Sequence, residues 1–209
     1  VREDILNYLQ QEIYERCRRP SNVFGMGIFD HVKAVVKNGK ELAEQYGGDV
    51  EVVMIAGWLH DIASITDESL YAMHHEYGAQ MAGEILEGMN YPPEKTALVR
   101  ACIRSHRGSV PAPKGSIEEW CVADADAISH FDSVPSLLYM AYAKKGMELE
   151  EGKTFVREKL KRSFAKLSPE GKLHYQEKYR QVMELLGEGG GARCGPDGKT
   201  DHSGRRRQI

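Results

Sequence analysis

VEVVMIAGWLHDI, residues 50–62, is the stretch that decides the fold, because it is apolar over nearly its whole length and ends on an imidazole and a carboxylate. Asp49 precedes the stretch and is a favoured N-cap residue. A helix that is apolar almost all round lies in the interior of a protein. We therefore predict a central helix over residues 50–62, with His60 and Asp61 at the end of its apolar run.

Helical spacing of apolar residues dominates the rest of the chain, and the alternation typical of strands is nearly absent. We predict an all-α fold: a single helical bundle over residues 1–186, with a core over about 20–145 and a C-terminal helical extension. The individual helices are predicted over residues 2–18, from about 30 to 46, and over about 50–62, 72–89, 93–106, 133–145, 150–166 and 169–186. A further helix, between 106 and 133, is predicted to hold Trp120, Cys121, Ala123 and Ala127. The glycine-rich end, residues 187–209, lacks apolar periodicity and is predicted to be a disordered tail.

Composition limits the binding partners and the cellular compartment that we expect for this protein. The formal net charge of −3 gives no electrostatic reason to expect a nucleic-acid polymer or a membrane as partner. The scattered cysteines form no C-x-x-C pair, and the first residues lack the apolar core of a signal peptide. We expect a cytoplasmic protein. The charged helices over 150–186 would cover the core or form a dimer face, so a homo-oligomer remains an alternative.

Imidazole and carboxylate groups recur inside otherwise apolar helices, where they are costly unless they are paired or bound to a metal. These groups are His31, His60, Asp61, His74 or His75, His106, and Asp124 or Asp126. Singly, His31 is compatible with a surface position and His106 with a helix C-terminus. Neighbours on a helix diverge by about 100°, so His60 and Asp61 converge on one ion only near a helix end or a distorted turn. Imidazole and carboxylate without cysteine favour Zn, Fe, Mn, Co or Ni, and argue against a structural zinc site.

Three of these segments, in this order, resemble motifs of the HD-domain metal-dependent phosphohydrolase superfamily. They are FDHVKAV at 29–35, AGWLHDI at 56–62 and VADADAISHF at 122–131. The resemblance covers roughly residues 20–145 and implies an HD-domain-like helical bundle. It also implies a first metal held by His31, His60, Asp61 and Asp126, while a ligand role for Asp124 instead of Asp126 stays open.

Two further segments, HHEYGA at 74–79 and IRSHRG at 103–108, resemble motifs of family members with two metals. This resemblance implies His74 and His106 as ligands of a second ion, with Asp61 bridging the pair and His75 directed elsewhere. The alternative is a one-metal site in which His74 and His106 form hydrogen bonds with the substrate.

The resemblance implies an enzyme that hydrolyses a phosphomono- or phosphodiester of a nucleotide or related small metabolite. Asp61 and His60 would form its catalytic centre around a metal-activated water. Arg104, Arg107 and His130 are candidate substrate-binding residues. Ala63-Ser64 stands where many relatives have Gly-Lys, so a phosphate-contacting lysine is missing after the His60-Asp61 pair.

Three other functions are compatible with the same residues. A mononuclear nucleotidase would act on nucleoside monophosphates or deoxynucleoside triphosphates with the first metal alone. A non-catalytic module would bind a nucleotide in the same pocket. A redox di-iron site would use a similar set of ligands.

Overall fold

The computed structural model describes residues 1–107 and 113–187, and this part of the chain contains helices and no strand. Its ten α-helices are α1 (Glu3–Arg18), α2 (Gly27–Tyr46), α3 (Val50–Leu59), α4 (Ile62–Thr66), α5 (His74–Gly88), α6 (Pro93–Ser105), α7 (Ile117–Asp132), α8 (Val134–Tyr139), α9 (Leu149–Lys166) and α10 (Pro169–Leu185). A 3₁₀ segment, Glu68–Met73, leads into α5, and a π-helical segment, Met140–Lys144, follows α8. The all-α prediction is confirmed.

Helix α3 is the central element, as its apolar sequence predicts. Asp49 caps it by accepting hydrogen bonds from the backbone N–H groups of Glu51 and Val52, at 3.1 and 3.2 Å. The helix packs against α1, α2, α6 and α7, and most of its residues are buried. Gly57 allows the close approach of α2, because a Cβ atom there would lie 3.3 Å from the Cα of Val36.

The chain breaks its helix at the His60-Asp61 pair. Helix α3 ends at Leu59, three residues earlier than the predicted bound, and the short helix α4 begins at Ile62. Asp61 adopts φ −109° and ψ 13°, outside the helical range. The break is the distorted turn that adjacent imidazole and carboxylate groups need if both are to face one site.

The C-terminal helices α9 and α10 pack against α7. A second cluster of buried apolar side chains joins them, with Ile128, Phe131, Leu160 and Met183 among its members. Helix α9 therefore covers part of the core, which was one of the two roles that the sequence left open.

One sequence prediction extends beyond the described residues. The tail predicted for 187–209 lies outside them from residue 188 onwards, and so does Cys194. Crossing a lipid bilayer needs a helix that is both long and apolar, and none of the described helices meets both conditions.

Candidate metal centre

Six side chains predicted as metal ligands come from five different parts of the bundle. His31 lies in α2, His60 and Asp61 at the α3–α4 break, His74 at the start of α5, His106 just after α6, and Asp126 in α7. They form two groups, His31–His60–Asp126 and Asp61–His74–His106, and within each group the possible ligand atoms lie within 4.8 Å of one another. Residues far apart in sequence are thus brought to two adjacent points.

Asp61 faces both groups with different oxygen atoms. Its Oδ2 lies 3.5 Å from Nε2 of His60. Its Oδ1 lies 3.6 Å from Nε2 of His74 and 4.0 Å from Nε2 of His106. One carboxylate can therefore offer one ligand atom to each of two ions.

Backbone carbonyls orient three of the imidazole rings in the same way. In each ring Nδ1 lies within hydrogen-bonding distance of the carbonyl oxygen three residues earlier. The pairs are His60 with Gly57 at 2.8 Å, His74 with Tyr71 at 2.9 Å, and His106 with Ile103 at 2.6 Å. A carbonyl only accepts, so Nδ1 carries a hydrogen, and in the neutral form of each ring the lone pair of Nε2 faces the site. Metal-binding histidines are commonly held in this manner.

The Nε2 atoms lack the partners that a buried nitrogen requires. Nε2 of His60 is buried and has no hydrogen-bond partner among the described residues. Nε2 of His74 lies 3.3 Å from Nε2 of His106. Two lone pairs cannot bond to each other, so a proton or a cation must lie between these atoms. Together with two carboxylates, these donors fit divalent transition metals.

The protonation states of the ligand side chains also favour binding of metal cations. Burial would raise the pKa of Asp61, but His60, His74 and His106 outweigh it and hold the pKa well below its usual range. Burial likewise opposes ionisation of Asp126, but Lys166 and two nearby histidines hold its pKa well below the usual range. Burial and the neighbouring His60 lower the pKa of His106 to about 3. At neutral pH the site therefore offers the charged carboxylates of Asp61 and Asp126 and the neutral imidazole of His106, the forms that bind metals.

The structure separates the two aspartates of the D-A-D segment. Oδ1 of Asp126 lies 3.2 Å from Nε2 of His31, inside the first group. Asp124 instead accepts hydrogen bonds from the backbone N–H and the hydroxyl of Ser168, at the start of α10. His75 is buried outside both groups, with Nε2 4.0 Å from a carboxylate oxygen of Glu76.

The ligand groups open into a pocket. Two of the three candidate substrate-binding residues line this pocket. His130 lines it, stacks on His31 at a ring-centroid distance of 4.7 Å, and has Nδ1 3.1 Å from the hydroxyl of Ser163. Arg107 also lines the pocket. Arg104 is not among the lining residues, and it pairs with Glu76 at 3.1 Å on the surface.

Helix α9 supplies pocket residues that the sequence analysis did not identify, namely Lys159, Arg162, Ser163 and Lys166. Lys166 forms an ion pair with Asp126 and donates to the carbonyl oxygen of His106 at 3.2 Å. Cationic side chains therefore reach the site from α9, although Ala63-Ser64 leaves no lysine directly after the His60-Asp61 pair. The spacing of these four residues places them on one face of a helix, which is visible in the sequence. Nothing in the sequence indicated that this face of α9 meets the site.

The fold and the site define an all-helical protein with a buried cluster of histidine and aspartate side chains suited to divalent metals. The sequence model of the HD domain matches residues 28–130. Residues 28–130, about half of the chain, therefore belong to the HD-domain family.

Curated relatives share part of this sequence. Ribonuclease Y of Enterococcus faecalis is 34% identical over 106 residues, which is 51% of this chain and 18% of that protein. Ribonuclease Y of Streptococcus sanguinis is 31% identical over 129 residues, which is 61% of this chain and 22% of that protein. The chain thus spans about a fifth of the length of these relatives.

Solved structures share the fold over most of the chain. YpgQ of Bacillus subtilis matches with a TM-score of 0.65 at 15% identity, over 88% of this chain and 92% of the other. A second structure of YpgQ, in complex with ADP, matches with a TM-score of 0.62 at 14% identity, over 87% and 93%. A predicted HD superfamily hydrolase from an uncultured Thermotogales bacterium matches with a TM-score of 0.58 at 22% identity, over 88% of each chain.

Proposed function

We propose that the protein is a metal-dependent phosphohydrolase that cleaves a phosphomono- or phosphodiester bond of a nucleotide or related small metabolite. Its centre would be dinuclear, with His31, His60, Asp61 and Asp126 around one ion and Asp61, His74 and His106 around the other. The observation that carries the proposal is the position of Asp61, whose Oδ2 faces His60 while its Oδ1 faces His74 and His106.

The residues of this centre have separable roles. Divalent ions of Fe, Mn, Zn, Co or Ni would supply the nucleophile, since such ions lower the pKa of coordinated water from ~15.7 to near 7. Asp61 and His60 form the catalytic centre, where their ligand atoms would hold the ions. The ring of His60 is fixed in place because its Nδ1 atom is bonded to the carbonyl of Gly57. Lys166 and Arg107 bring positive charge to the pocket, where it would stabilise the negative charge that develops on the phosphoryl oxygens.

A small nucleotide is the substrate class with the most support. The pocket carries cationic side chains, and the structurally similar YpgQ has been solved in complex with ADP. The relatives named Ribonuclease Y make RNA the competing substrate. The formal net charge of −3 does not favour a polyanionic polymer.

The test is a substrate panel on purified protein loaded separately with Mn, Fe, Co, Ni or Zn. The panel holds generic phosphomono- and phosphodiesters, nucleotides and a short oligoribonucleotide. We expect hydrolysis of small phosphoesters, and a loss of at least about 100-fold in kcat/KM for Asp61→Ala, the scale of a removed charge-stabilising group. His174→Ala is the control, because it removes an exposed imidazole of α10 away from the pocket.

Three outcomes would contradict the proposal. Full activity of Asp61→Ala would exclude a metal-bridging role for this carboxylate. Cleavage of the oligoribonucleotide alone would replace the small substrate with RNA. Tight nucleotide binding without turnover under every metal would instead indicate a non-catalytic binding module.

A further inference from the structure

Helix α9 presents a cationic face to the pocket. Lys159, Arg162 and Lys166 line it and lie three and four residues apart, which places them on one side of a helix. This helix lies outside residues 28–130, the part of the chain that matches the HD domain. The cationic face is therefore an addition of this chain to the ligand groups of its HD domain.

The cations of this face differ in their partners. Lys166 is occupied, because it pairs with Asp126 and donates to the carbonyl oxygen of His106. Lys159 and Arg162 make no hydrogen bond and no ion pair within residues 1–107 and 113–187. Burial lowers the pKa of Lys159, although the charge of Asp126 opposes this effect. A partly desolvated ammonium group without a hydrogen-bond acceptor is costly, and an anionic ligand would remove that cost.

The balance of charge in the pocket indicates a ligand with several negative charges. Lys159, Arg162 and Lys166 face two carboxylates, those of Asp61 and Asp126. One positive charge is therefore in surplus even before any divalent ion is counted. Divalent ions at the metal ligands would already neutralise a single phosphate bound beside them. The α9 cations therefore suit further phosphate groups of the same ligand.

We propose that Lys159 and Arg162 form a second phosphate subsite, which holds the phosphate groups of the substrate that are not hydrolysed. The preferred substrates are then nucleoside di- or triphosphates rather than monophosphates. The choice of substrate rests on the proposed hydrolase function, whereas binding of a polyphosphate chain by α9 does not.

Calorimetry on EDTA-treated, metal-free protein tests the subsite without relying on activity. Inorganic tripolyphosphate should bind more tightly than orthophosphate. Lys159→Met and Arg162→Gln should each weaken tripolyphosphate binding by about 10- to 100-fold, the scale of one lost charge-assisted hydrogen bond. Arg162 is exposed, so its replacement does not endanger folding.

Lys153→Met is the matched control. It removes the same charge from the same helix, but Lys153 pairs with Glu150 at 2.8 Å and does not line the pocket. We expect this variant to bind tripolyphosphate as the unaltered protein does. Equal affinity of Lys159→Met, Arg162→Gln and the unaltered protein would overturn the subsite, as would equal affinity for orthophosphate and tripolyphosphate.

A kinetic comparison separates this proposal from the proposed function. On metal-loaded protein, Lys159→Met should raise KM for a nucleoside triphosphate while leaving KM for the monophosphate nearly unchanged. Tripolyphosphate binding that depends on Lys159, without turnover of any phosphoester, would refute the hydrolase and keep the subsite. If the unaltered protein and Lys159→Met both turn over phosphoesters, and their preference for triphosphate over monophosphate is the same, the hydrolase is kept and the subsite is refuted.

Discussion

Nε2 of His74 and Nε2 of His106 face each other at 3.3 Å, one at the start of α5 and the other just after α6. Each ring is held by its Nδ1 atom against a backbone carbonyl, so neither Nε2 atom has a hydrogen of its own in the neutral ring. Oδ1 of Asp61 lies within 4.0 Å of both Nε2 atoms. A divalent cation satisfies all three ligand atoms at once.

Replacing His106 should cost the protein one of two metal ions. We expect elemental analysis of metal-saturated protein to find two ions per chain, and one ion in His106→Ala, because only the second group loses a ligand. His75→Gln, a change at a histidine outside both groups, should keep two ions. One ion per chain in the unaltered protein would favour the mononuclear nucleotidase, with His74 and His106 as hydrogen-bonding groups.

Removing the metal should lower the thermal stability. A ligand that binds only the folded state at 100 times its Kd stabilises that state by about 2.7 kcal/mol. For a domain of this size, chelation should therefore lower Tm by roughly 5–10 °C. Differential scanning calorimetry with and without EDTA measures the change, and adding back Mn²⁺ or Zn²⁺ should reverse it. An unchanged Tm would mean that the buried Nε2 atoms are satisfied by protons rather than by a cation.

Replacing Asp124 should weaken the fold and spare the metal content, whereas replacing Asp126 should reduce the metal content. Asp124 accepts two hydrogen bonds from Ser168 at the start of α10. Their loss in Asp124→Ala should cost about 1–3 kcal/mol, a fall of roughly 2–12 °C in Tm. Thermal unfolding and elemental analysis of Asp124→Ala and Asp126→Ala give both quantities. Loss of metal from Asp124→Ala alone would reverse the assignment of the two residues.

The acid sensitivity of the fold should depend on Lys95. Its ammonium group lies 2.8 Å from Asp49 and 3.4 Å from Glu51, and Tyr91 donates to Glu51 at 2.8 Å. Burial would raise the pKa of both carboxyls, but these partners outweigh it and lower the pKa of each. A lowered pKa in the folded state adds stability above the unfolded pKa, near 4, and this stability is lost as the pH falls through the folded value.

Lys95→Met should therefore lose less stability than the unaltered protein between pH 6 and pH 3. We expect the difference to be no more than about 1 kcal/mol, because the ion pair is partly exposed. Urea unfolding of both metal-free proteins at the two pH values measures it. An identical loss in the two proteins would show that Lys95 does not account for the lowered pKa of these carboxyls.

Most helix bounds were predictable because helix signals are local. The apolar run of residues 50–62, the Asp49 cap and the glycines after Tyr46 are all visible in the printed sequence. The short helix α4 and the π-helical turn at Met140–Lys144 were not predicted. Both interrupt continuous helical patterns, and the side-chain period alone does not reveal where a helix bends.

The sequence by itself determined the all-α fold and the inventory of imidazole and carboxylate groups, since both depend on residue types and short-range spacing. Only the tertiary structure decided which atoms meet. It turned Asp126 toward His31 and Asp124 toward Ser168, and it directed each oxygen of Asp61 to a different group of histidines. It also brought Lys166 to Asp126 across 40 residues of chain. That contact depends on how α9 packs against α7, and packing between distant helices is set by the shape of the whole core rather than by any local pattern.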